Sequence, residues 1–147
     1  MSKFRHFELN EFIKSDTAKK KNIDNCPTFE VVERLAELTE YFLEPLRCAL
    51  NLPVFIHSGF RCWALNKAVG GSDTSVHPLG YAVDISCPYM AFNKFVTFVV
   101  DWVKKTGKKF DQILIETDKT TGAQWLHIGL FNSKGQQRGQ IKIMNDS

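Results

Sequence analysis

Between Thr28 and Leu50 the apolar residues Val31, Leu35, Leu38, Phe42, Leu46 and Ala49 or Leu50 recur at spacings of three and four. That period lines them along one stripe of an α-helix. Thr28 suits the N-cap, and Pro45 is expected to bend or locally break the last turn. A second stripe, Phe92, Phe95, Val96, Val99, Trp102 and Val103, predicts another long helix that stops at Lys104-Lys105-Thr106-Gly107. Lysines favour the C-terminal end of the helix dipole, and glycine favours the left-handed cap. Trp63 to Val69, closed by Gly70-Gly71, reads as a shorter helix.

The remaining apolar runs are short and have a period of two, as strands do. Val54 to His57 predicts a short buried strand. In Tyr81 to Ile85, Ala82 and Asp84 share one face while Tyr81, Val83 and Ile85 share the other. Phe110 to Glu116 puts Phe110, Gln112, Leu114 and Glu116 on one face and Ile113 and Ile115 on the other. The polar loop Thr117 to Ala123 joins it to Gln124–Leu130 as a hairpin, and Gly139 to Met144 predicts a final edge strand. At the N-terminus, Phe4, Phe7, Leu9, Phe12 and Ile13 form an apolar cluster, so residues 1–27 read as an arm packed on the rest. The expected fold is α+β, a small mainly antiparallel sheet flanked by helices, in one domain spanning residues 1–147.

Composition changes this picture little. A chain of 147 residues, 44% hydrophobic and 24% charged, is ordinary for a globular protein. The net charge of +3 is explained by solubility alone, and with no basic block or aromatic-basic repeat no nucleic-acid partner is expected. Lys19-Lys20-Lys21 reads as a solvated face. Cys26, Cys48, Cys62 and Cys87 are widely spaced and read as buried free thiols of a reducing compartment. The charged segment Met1–Leu9 lacks the apolar core of a signal peptide. No apolar run approaches the ~20 residues of a membrane span. Synthesis in the cytoplasm, no membrane partner and a monomer are the expectations.

The stretch Ser75-Val76-His77-Pro78-Leu79-Gly80-Tyr81-Ala82-Val83-Asp84 carries the candidate chemistry. An aspartate on an apolar strand is costly to bury unless a cation or a donor meets it. His77, delivered by the Pro78–Gly80 turn, could hold that cation jointly with Asp84, and a third ligand would complete a catalytic zinc site with one position left for water. His127, in the strand Gln124–Leu130, is a further histidine in a distinctive setting. Arg61 follows a strand directly, where it either forks onto a substrate carboxylate or ties loops together. His57 reads as a packed or hydrogen-bonded residue beside that loop, and His6 shows no partner pattern.

Together, Ser58-Gly59-Phe60-Arg61, the Ser75-x-His77-x-x-Gly80-x-Ala82-x-Asp84 run and Trp125-x-His127 resemble the zinc D-alanyl-D-alanine carboxypeptidase family, whose relatives include D-Ala-D-Ala dipeptidases and the L-alanyl-D-glutamate endopeptidases of bacteriophage lysins. The resemblance implies the same α+β fold with a zinc cleft on one sheet face. It also implies His77, Asp84 and His127 as zinc ligands, Arg61 as the contact to a substrate carboxylate and Ser75 as a peptide-holding residue. The implied substrate is the peptidoglycan stem peptide, reached if the chain is released or carried by a virion.

The chain departs from many members at Gln124, three residues before His127, where they carry an acid; an amide cannot accept a proton. Glu116 is the expected general base. If the hairpin pairs Leu114 with His127, Glu116 lies opposite Trp125 on the face of His127, ~7–8 Å diagonal to it. Asp118 and Asp73 are the alternatives. The competing function is a catalytically inactive module of the same fold that binds cell wall or serves in virion assembly.

Overall fold

The Thr28 hydroxyl accepts the backbone N–H of Val31 at 3.2 Å and opens α3, Phe29–Leu38. The computed structural model describes residues 5–145. Two short helices precede α3, α1 (Leu9–Ile13) and α2 (Asp16–Lys20). Phe7 and Phe12 of this arm are buried in the core; Phe4 lies outside the described residues.

The predicted 28–50 helix is interrupted one turn earlier than expected. A π-helical turn, Thr39–Leu43, separates α3 from α4, Glu44–Leu50, and Pro45 sits in the first turn of α4. The reason is local. Pro45 has no N–H for the carbonyl four residues back, that of Tyr41, and this carbonyl instead accepts Lys108 Nζ at 2.8 Å. The ladder widens ahead of the proline and resumes after it.

The strands are β1 (Phe55–Ser58), β2 (Ala82–Ser86), β3 (Gln112–Thr117), β4 (Gln124–Gly129) and β5 (Gln140–Asn145), with α5 (Trp63–Ala68) after β1 and α6 (Phe92–Thr106) after β2. They form one sheet in the order β1-β2-β4-β3-β5. Every neighbouring pair is antiparallel except β3 and β5. The architecture is α+β with a mostly antiparallel sheet. Val83, Ile85, Ile113, Leu126 and Ile128 face α3, α4 and α6 in a continuous core with Leu35, Leu38, Phe42, Leu46, Phe95 and Val99. α6 stops at Gly107, whose φ of +67° and N–H to the Val103 carbonyl make the left-handed cap.

Two expectations are corrected. β1 is an edge strand rather than a fully buried one: of the expected strand Val54 to His57, Val54 and Ile56 reach the core, while Phe55 and His57 are exposed. All four cysteines are free, as expected, yet only Cys87 is buried; Cys26 and Cys48 are exposed.

Candidate active site

The strand parity of β2 leaves Ala82 and Asp84 on the face away from the helices. His77 begins a 3-10 turn, His77–Leu79, that ends at Gly80 with φ of +82°. A Cβ at Gly80 would approach Val31 Cγ1 and the Val31 carbonyl to 3.1 Å. The positive φ therefore calls for glycine, and the close approach to Val31 leaves little room for a side chain. The turn docks on α3 and aims His77 at the sheet.

Asp84 pairs across the ladder with His127 of β4. His127 Nδ1 lies 3.0 Å and His77 Nε2 lies 3.3 Å from Asp84 Oδ1, with the two imidazole rings 5.1 Å apart. His77 Nδ1 is 2.7 Å from the carbonyl of Gly59, to which it donates, and this leaves Nε2 as the lone-pair nitrogen. One ligand atom from each of the three side chains lies within 4.8 Å of the others. Donors bonded ~2.0–2.2 Å from a tetrahedral zinc stand ~3.3–3.5 Å from one another, so two nitrogens and a carboxylate at these separations fit that ion.

Gly59 is fixed by packing. Phe60 N–H donates to the Phe12 carbonyl at 2.7 Å, and a Cβ on Gly59 would come within 2.7–2.9 Å of Phe12. The arm helix α1 thus presses directly on the peptide that orients His77. Sequence reading missed this carbonyl because a backbone atom has no residue type to recognise. Its signal is the Gly59 of Ser58-Gly59-Phe60-Arg61.

Electrostatics follow burial. Burial pushes His77 below the ordinary histidine range, with Asp84 opposing, so its imidazole is neutral at pH 7. Burial alone would raise Asp84, yet the adjacent His77 and the hydrogen bond from His127 hold the carboxyl well below the carboxylate range. Burial lowers Arg61, while the charges of Asp84 and Glu116 raise it; the guanidinium remains a cation.

The register of β3 on β4 places Leu114 opposite His127 and Glu116 opposite Trp125. Trp125 Nε1–H donates to Glu116 Oε2 at 2.8 Å. Arg61, Ser75, His77, Asp84, Glu116 and His127 all line one cleft of about 870 Å³. Ser75 Oγ accepts the backbone N–H of His77 at 3.2 Å, so it helps to set the turn. Asp118 also lines the cleft, but its Oδ1 caps the 118–121 turn through Thr120 and Thr121 N–H; Asp73 is not among the lining residues.

Gln124 lies three residues from His127 on a regular strand, hence on the opposite face. Its side chain is exposed and donates to Thr117 Oγ1 at 3.2 Å. Two further expectations change. His6 does have a partner, Glu44, whose Oε1 accepts His6 Nδ1 at 2.6 Å. Asp111, which the pattern did not single out, is buried at the cleft wall and accepts Arg138 Nε and Nη2, each at 2.8 Å.

An α+β sheet carrying a His-Asp-His group able to hold a metal, with a carboxylate and a guanidinium in the same cleft, defines a candidate metallohydrolase. The chain belongs to the peptidase M15 family of zinc D-alanyl-D-alanine carboxypeptidases: the model described as Peptidase M15 matches residues 5–118. That match includes Arg61, His77, Asp84 and Glu116 and ends before His127, which the β2–β4 pairing supplies. No curated protein matches the chain.

Proposed function

We propose that the chain is a zinc peptidase that hydrolyses a peptide bond in peptidoglycan stem peptides, as a D,D-carboxypeptidase or an endolysin-type endopeptidase. The observation that carries this reading is the convergence of His77, Asp84 and His127, with Glu116 on the same sheet face two residues along β3 from the partner of His127. His77 Nε2, Asp84 and His127 Nδ1 would hold the metal. When bound, zinc supplies a Lewis acid for the scissile carbonyl and acidifies a water to a pKa of ~7.

The protein's own groups do the rest. Glu116 takes the proton of the attacking water on its Oε1 and returns it to the leaving amine. Trp125 holds Oε2 and so fixes which oxygen does this. Arg61 binds a substrate carboxylate through its fork of donors, and Ser75 holds the peptide at the cleft edge. The inactive-module alternative drew on Gln124, and strand parity removes that support, because the side chain at 124 faces away from the cleft.

Mass spectrometry of purified muropeptides tests the proposal. Incubation with the zinc-loaded chain is expected to sever one bond, and chelator or Glu116→Gln is expected to abolish the cut. Intact muropeptides after incubation with the zinc-loaded wild type would overturn it.

A further inference from the structure

A second cavity, of about 230 Å³, lies where the arm meets β1 and is lined by Lys14, Thr17, His57, Phe60, Arg61 and Leu65 among others. It shares Arg61 and Val69 with the main cleft. Arg61 is thus a wall common to two concavities rather than the closed end of one. Its Nε is buried and has no hydrogen-bond partner among the described residues. A buried donor of this kind costs free energy until an acceptor reaches it, which suits a guanidinium that completes its bonding with substrate.

The second cavity has a basic and an apolar side. Lys14 and Arg61 outnumber the one acid, Asp16. Buried Phe60 and Leu65 supply the apolar wall.

We propose that this cavity is a second substrate subsite. It takes the part of the peptide that continues past Arg61, with preference for an acidic residue there. Arg61 then meets a carboxylate along the length of the substrate, and peptides longer than those ending at Arg61 are bound more tightly. The identity of the ligand as a stem peptide rests on the peptidase reading above.

The test is a truncation series: the stem pentapeptide, its successive C-terminal truncations and a form extended by Gly-Glu. Calorimetry on the zinc-loaded Glu116→Gln chain reads affinity, and wild-type turnover is followed in parallel. One step of the series is expected to raise affinity about 10-fold, close to the 1.4 kcal/mol of one decade. Lys14→Glu and Thr17→Trp, each combined with Glu116→Gln, are expected to erase that step and leave the shorter peptides within about twofold of the parent. Lys14 is exposed, Thr17 is half-buried and neither belongs to the hydrophobic core, so the fold is retained. A step that survives both variants, or a series without any step, overturns the subsite. If the wild type cuts none of the peptides while the step appears and disappears as described, the subsite stands and the catalytic reading fails.

Discussion

Glu116 Oε2 accepts the indole N–H of Trp125 from the directly opposed position of the β3–β4 pair, at 2.8 Å. The bond pins one carboxylate oxygen of a residue that shares its sheet face with His127. Replacing Glu116 by Gln keeps the shape and removes the carboxylate proposed as the proton acceptor. A fall in kcat of ~10²–10⁴-fold is expected, the range contributed by a general base. Metal analysis should find zinc content unchanged.

Trp125→Phe keeps the aromatic body and deletes only the donor. Hydrogen bonds to charged groups contribute ~1.5–3 kcal/mol, so kcat should fall by about one to two decades, less than for Glu116→Gln. A KM close to wild type would separate loss of orientation from loss of substrate binding, and steady-state kinetics on both variants reads the difference.

Gly59→Ala tests the link between the arm and the site. The new methyl would meet the Phe12 backbone at under 3 Å, so the Gly59 peptide has to move, and overpacking of this kind costs ~1–3 kcal/mol. Because Gly59 carries the carbonyl that fixes the His77 tautomer, zinc affinity should weaken together with stability. Denaturant unfolding and a competitive zinc chelator report the two effects separately.

The His77, Asp84 and His127 cluster should also make stability depend on metal. A ligand that binds only the folded state raises stability with its concentration. Zinc is therefore expected to raise the melting temperature of the wild type, and to do so little or not at all in His127→Ala. Thermal scans with and without chelator check it.

Acid stability is expected to depend on Glu44. This buried carboxyl accepts the N–H groups of Arg5 and His6 and the His6 Nδ1. Burial would raise its pKa, but the His6 side chain, the two backbone donors and the His6 charge outweigh burial and hold it below the ordinary value. A carboxyl whose folded pKa is depressed contributes stability that is complete above its unfolded value of ~4.3 and is lost as pH falls through the folded value. Glu44→Gln should flatten this fall without abolishing it, because Arg138 depresses Asp111 in the same direction. Urea midpoints measured from pH 6 down to pH 3 give the slope.

Much of this was readable along the chain because it is local. The eight residues from His77 to Asp84 hold a turn and a strand whose parity alone puts Asp84 on the face away from Val83 and Ile85. The hairpin is nearly as local: the Thr117–Ala123 loop sets a register in which Leu114 meets His127 and Glu116 meets Trp125. Period and turn chemistry reach that far without knowledge of the rest of the fold.

Other features arise between segments distant in sequence, where no period connects them. The Gly59 carbonyl reaches His77 only because α1 docks on the 59–60 peptide. His6 finds Glu44 across 38 residues, and Asp111 finds Arg138 across a return loop that also makes β5 parallel to β3. The π turn ahead of Pro45 depends on Lys108 arriving to satisfy the Tyr41 carbonyl. The sequence alone determined which side chains are candidates for the chemistry and which strand faces bear them, since alternation is a property of the backbone. Only tertiary packing decided which backbone atoms orient those side chains and that Arg61 borders two cavities, because these contacts depend on how the docked elements fill space.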